Sequence, residues 1–346
     1  MDKRRTINGF LMAVPAALLA TSASAQEPVP ADPTMAAQHL EAIDIREWDV
    51  PWADTRPRDP FAVSDSEIWF VGQRGDYVAR LNPQTEEFTR FELPEGAGPH
   101  NLIVADDGGV WYAGNRAAHI GRLDPATGEI EQIPMPNEAA RDPHTLVFDA
   151  NGDIWFTVQG GNFIGKLTVA TREVQLIEVP TPQARPYGIE VAADGTVWAV
   201  LLGTNKLVSV DPATKELTEY DIPRAEARPR RMGITDDGRI WYVDYAMGMV
   251  GAYDPAAATF EEWPAPSGAE SRPYGMAVDG DNRIWFVETG VEPNRFTGFD
   301  PATEQYIAVA EVPSGGGTVR HMHYHAPTNS IWFGADTNTI GRVALD

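Results

Sequence analysis

Seven tryptophans, Trp69, Trp111, Trp155, Trp198, Trp241, Trp285 and Trp332, each follow Ile or Val and precede Phe, Tyr or Ala, and they lie 42, 44, 43, 43, 44 and 47 residues apart. Twelve residues before the last six stand Pro99, Pro143, Pro186, Pro229, Pro273 and, in the final copy, Arg320. Whole segments recur in register: RPYGIEVAADGTVWAV at 185–200 returns as RPYGMAVDGDNRIWFV at 272–287. Self-similarity at a fixed period marks a copied structural unit, so the architecture follows from the unit.

Each copy reads as four short strands. In the fourth, YGIEVAAD is an apolar run that turns at Asp194-Gly195, followed by TVWAVLL, KLVSVD and the alternating edge segment KELTEYDIP. DPAT recurs at 124, 211 and 300, with Pro where its fixed φ opens a turn. Four-stranded units of this period are propeller blades, which predicts an all-β fold: a seven-bladed β-propeller over residues 42–346. The last copy stops at IGRVALD, one strand short, and AIDIREWDVP at 42–51 resembles the fourth strands. Residues near 43–50 are therefore expected to complete the last blade and remove its open edge.

Residues 1–25 differ from the repeats. MDKRR precedes the apolar run FLMAVPAALLA and the small-residue pattern ASA, the layout of a secretory signal cleaved near Ala25, with 26–41 as a leader. The run is too short to span a bilayer, so the expectation is a periplasmic or secreted monomer without membrane insertion. Removing Asp2, Lys3, Arg4 and Arg5 with the signal takes the 27 basic and 50 acidic residues to 24 and 49, about 25 net negative charges. Such a surface repels nucleic acid. Cysteine is absent, which excludes disulfides and thiol nucleophiles.

Innermost strands of a propeller line its channel, and the loops that enter them crowd one mouth. The residue after the repeat Pro reads Phe61, His100, His144, Tyr187, Arg230, Tyr274 and His321 across the copies. Its neighbours repeat and it does not, as expected of a ligand site. A polar residue that merely bonds nearby backbone accounts for any one member as well; the set jointly favours function.

The segments PHNLIVADDGGVWYAGNRAAHIGRL (99–123) and PHTLVFDANGDIWFTVQGGNFIGKL (143–167) carry a frame that resembles the streptogramin B (virginiamycin B) lyases and related propellers, over roughly residues 42–346. The resemblance implies a magnesium-dependent carbon–oxygen lyase that opens a cyclic depsipeptide by elimination. A base takes the proton α to a carbonyl, the metal polarises that carbonyl, and the ester carboxylate leaves. The family's site residues map onto this chain in two ways. Counting blades from the N-terminus makes His321 the base and Asp336 a metal acid, with Val319, Tyr274 and Phe61 replacing the family's other acid, histidine and tyrosine. Rotating the ring gives His100, His144 and Tyr187 in order, with Asp142 two residues before His144 and Val158 or Gln159 in place of the second glutamate.

Phe61, Arg230 and Tyr274 are then candidate contacts to a small-molecule or cyclic peptide ligand, and Asp336 and Glu288 candidate Mg2+ ligands. Asp142 serves equally as a loop cap, and Glu288 and Asp244 equally as solvated loop acids. In HMHYH, strand alternation spreads His321, His323 and His325 over roughly 13 Å, which favours a strand over a metal cluster. A non-catalytic periplasmic propeller that binds a ligand or protein at its mouth is the alternative, and a lactonase-like metal hydrolase a third reading.

Overall fold

The computed structural model describes residue 40 and residues 42–345 of the chain. The expected signal, and the leader apart from Leu40, lie outside the described residues. Seven four-stranded sheets make the seven-bladed propeller, and each is an antiparallel meander running outward from the channel. Blades 1 to 6 comprise residues 57–92, 99–134, 143–178, 186–221, 229–264 and 273–311. Blade 7 takes Val319–His325, Ser330–Ala335 and Thr339–Ala344 from the C-terminal end and its outer strand, Asp44–Asp49, from the N-terminal end. That closing strand pairs from Asp44 opposite Ala344 to Asp49 opposite Thr339, and Trp48 stacks on Trp332 at 5.6 Å. The expected closure is thus present.

The tryptophans hold neighbouring blades together. Trp111 packs with Leu146, Ile154 and Phe156 of the next blade, and Trp155 with Ile189, Val197 and Ala199. The pattern runs round the ring to Trp332, which packs on Ala62, Ile68 and Phe70 of blade 1. Six of the seven are almost fully buried, so truncating one to Ala costs about 3–5 kcal/mol. The recurring glycine of the third strand has a steric cause. A Cβ on Gly121 would sit 2.0 Å from the Tyr112 ring, and one on Gly165 2.2 Å from the Phe156 ring.

Two features of the innermost strands shape the channel. Six open on proline, Pro57 included, which has no N–H to waste at a strand's first residue. Each then carries a bulge: Pro99 faces Gly114 while Leu102 faces Tyr112, three steps on one strand against two on the other. An extra residue stands on the innermost strand of every other blade as well, between Arg58 and Phe61 in blade 1 and between Pro229 and Arg231 in blade 5. A bulge leaves an extra residue unpaired and re-aims the strand, so the two residues after the opening position no longer alternate as in a regular ladder and both are available to the channel.

Candidate functional site

The registers correct the sequence reading at both ends of the ring. Pro57, opposite Gly72 as Pro99 is opposite Gly114, opens blade 1 and makes Arg58 the equivalent of His100. Phe61 lies three residues deeper, opposite Trp69 and stacked on His323 at 4.3 Å. In blade 7 the first hairpin is one residue longer, Val319 takes the proline's place, and Arg320 follows it. His321 therefore belongs to the second residue of the bulge. The first residues are Arg58, His100, His144, Tyr187, Arg230, Tyr274 and Arg320. The second are Asp59, Asn101, Thr145, Gly188, Arg231, Gly275 and His321.

The first layer is a chain of rings. His100 and His144 have centroids 3.5 Å apart, and His144 and Tyr187 4.1 Å apart. Tyr187 and Tyr274 share a short hydrogen bond across the channel. Arg230 lies over Tyr245 at 3.7 Å and over Tyr274 at 4.5 Å. Of the seven residues expected together at the mouth, His100, His144, Tyr187, Tyr274 and Arg230 form one contiguous cluster, whereas Phe61 stacks on His323 and His321 lies in the second layer. Burial, reinforced by Arg58 at His100 and by Arg231 at His144, holds both imidazoles well below the ordinary histidine range. They are neutral at physiological pH. Burial raises Tyr187; it would also raise Tyr274, but Arg230 and Arg58 outweigh it and hold that phenol below its usual value. Either hydroxyl can be the donor in the bond between them.

The second layer is a polar hub. The Asp59 carboxylate, fully buried, accepts from Arg58 Nε at 3.0 Å, Asn101 Nδ2 at 3.1 Å and Arg231 Nη2 at 3.4 Å. Arg231 also donates to Thr145 Oγ1 at 3.0 Å and to the Arg320 carbonyl at 2.9 Å. Thr145 Oγ1 meets His144 Nδ1 at 2.9 Å, which links the hub to the rings. Burial alone would raise Asp59, yet Arg58, His321 and Arg231 hold it well below the carboxylate range. Below the hub a cavity of about 340 Å³ is lined by Phe61, Glu190, Arg231, His321 and His323 among others. Burial pushes Glu190 up to about 7 and His321 and His323 down to about 3 and 4.

The carboxylates read as catalytic or metal-binding have other partners. Asp142 accepts from the Gly160 and Gly161 amides, and Glu288 from Ser267 N and Oγ at 2.8 Å each. Asp336 is paired with Arg56 at 3.4 Å and with Arg320 in a closer contact. His325 is turned to Thr328, away from His321. Among the described residues no three His, Cys, Asp or Glu side chains are placed to hold an ion. Mg2+ requires several convergent oxygen ligands. Here the acids brace loops and guanidinium groups fill the mouth, so the residues do not fit that metal.

The chain matches the sequence profile of the virginiamycin B lyase family over residues 37–210 and 172–346. A virginiamycin B lyase from Staphylococcus aureus superposes with a TM-score of 0.79 at 22% identity, covering 88% of this chain and 100% of that one. A streptogramin B lyase gives 0.78 at 24% identity, over 88% and 98%. A catalytically inactive S. aureus virginiamycin B lyase with quinupristin gives 0.78 at 23%, over 88% and 100%. At these identities the structural likeness shows the fold. No curated protein matches the chain in sequence. No helix among the described residues is long and apolar enough to cross a membrane.

Proposed function

The chain belongs to the virginiamycin B lyase family, and from that premise we propose that it is a carbon–oxygen lyase working at the channel mouth on a cyclic ester or depsipeptide. The observation that carries the reading is the buried His100–His144–Tyr187–Tyr274 cluster, whose two imidazoles are held neutral beside guanidinium groups. A general base must be unprotonated at working pH, and both histidines meet that condition. In the tautomer of His144 that donates Nδ1–H to Thr145, Nε2 keeps the lone pair that takes a proton α to a carbonyl. The electron pair of that C–H bond forms the double bond, and the ester carboxylate leaves with the electrons of the C–O bond. Arg58 and Arg231 supply positive charge beside the developing enolate, and the proton taken by His144 passes to solvent or to the departing carboxylate.

The test is elimination by the purified protein, with and without a chelator, on a streptogramin B and simpler cyclic esters, read as an unsaturated product without added water. His144→Ala should lower turnover by about a hundred-fold or more while leaving the melting temperature near wild type. Turnover that survives in both His144→Ala and His321→Ala would sink the proposal. The commitment of Asp142, Glu288 and Asp336 to structural partners favours a second reading, a ligand-binding propeller without chemistry. Ligand retention without product would establish it.

A further inference from the structure

We infer that the mouth recognises a small organic oxyanion, a carboxylate or phosphate, in a groove between blades 4 and 5 walled by Arg185, Arg228 and Arg230. The inference rests on the reading that the mouth is the ligand site and is independent of whether chemistry follows. The groove is about 560 Å³, the size of a drug-like ligand's pocket, with Gln183 and Tyr245 as further polar groups, Leu202 as an apolar wall and no acid in its lining. None of the three arginines makes an ion pair among the described residues, whereas the acids outnumber the bases about two to one in the chain. Arg185 is exposed, with no side-chain partner among the described residues, and Arg230 has a buried Nε without a hydrogen-bond acceptor. Arg228 spends donors on the carbonyls of Ala225 and Ala227. Asp244 is buried, and its Oδ1 accepts from the Arg228, Ala246 and Met247 amides.

The bias extends round the mouth. Of the residues just before each strand-opening position, Arg56, Arg185, Arg228 and Arg272 are basic and only Asp142 is acidic. Just after it stand Arg58, Arg230 and Arg320, with no acid. Backbone conformation makes the choice costly: Arg56, Arg185 and Arg272 have φ of 53°, 55° and 45°, the left-handed region that Gly98 occupies at the same place in blade 2. Arg56 is met by Asp336, whereas Arg185 and Arg272 make no ion pair among the described residues, and long cationic side chains kept where glycine is favoured point there to a role for the charge. Guanidinium forks match the oxygens of carboxylate and phosphate, and the acidic remainder of the surface disfavours a long polyanion over a small one.

The experiment is calorimetric titration of the full protein with benzoate, citrate and inorganic phosphate, with benzamide as the neutral control. The expected result is binding of at least one anion at millimolar or lower concentration, weakened by salt and weakened about tenfold or more in Arg185→Gln/Arg228→Gln. Carboxylate-only or phosphate-only binding supports the site and names the ligand's group. Arg46→Gln, on the closing strand, should change nothing. No binding of any anion, or binding unaltered by the double substitution, overturns the inference. Neither outcome depends on turnover: anion binding without elimination would count against the lyase alone, and elimination of a neutral ester by a protein blind to anions would count against this site alone.

Discussion

Replacing Asp59 with Asn tests whether the mouth is held by charge. The carboxylate is the common acceptor of Arg58, Arg231 and Asn101, and through Arg231 it is coupled to Thr145 and to the Arg320 carbonyl, so it ties blades 1, 2, 3, 5 and 7. Both guanidinium partners are buried and Arg58 already has one Nη without an acceptor. Removing one member of a buried pair leaves uncompensated charge, at a cost of about 3–5 kcal/mol. For a domain of this size that lowers the melting temperature by roughly 5–8 °C.

The pH dependence gives a second reading of the same group. Its folded-state pKa is depressed, so its stabilisation is present above the ordinary carboxylate range near 4 and disappears as pH falls toward the lower folded value. Melting followed by circular dichroism from pH 3 to 7 should show a large gap between wild type and Asp59→Asn at pH 7 that narrows at pH 3. The double variant Asp59→Asn/Arg58→Gln, which removes a cation as well, should recover part of the loss. A single variant that melts within about 1 °C of wild type at pH 7, or a gap equal at both pH values, would refute the argument.

His100 and His144 are buried and His321 is half-buried, all three with depressed pKa values, so protons bind the unfolded chain first. Stability to urea should fall as pH drops below about 6.5, each histidine adding up to about 1.4 kcal/mol per pH unit. Glu190 is shifted the opposite way, to about 7, and so weakens the fold as pH rises from about 4 to 7; Glu190→Gln should raise the melting temperature at pH 8 and leave it unchanged at pH 4. Gly165→Ala should destabilise the protein measurably in the same melts, because the Phe156 ring must move to admit one methyl group, and Gly165→Ala/Phe156→Leu should recover part of the loss.

The period of the tryptophans was enough to read seven blades and the closing strand, because the interblade packing that requires the indole repeats with the fold. The mouth was legible only in part. His100, His144 and Tyr187 were found because their blades share one spacing, and they do gather. One position per copy reaches only part of the channel, since the bulge breaks the alternation and brings the following residue to it as well. Asp59 and Arg231, at the second position, are invisible to such a reading. Pro57, twelve residues before Trp69, was the signal that would have placed Arg58 in the ring and Phe61 below it. Glu190 carries no motif; its perturbation arises from burial in a channel that exists only once the blades assemble.

The closing strand also fixes how the ring responds to force. Asp44 lies opposite Ala344, so the two ends of the propeller emerge on the same side of their shared seam. Tension applied through those ends would load the six residue pairs one after another, as a zipper is opened, and never all at once in shear. The seam is therefore the mechanical fuse of the molecule: it yields first and at low force, and the first six sheets stay stacked on one another through their tryptophans.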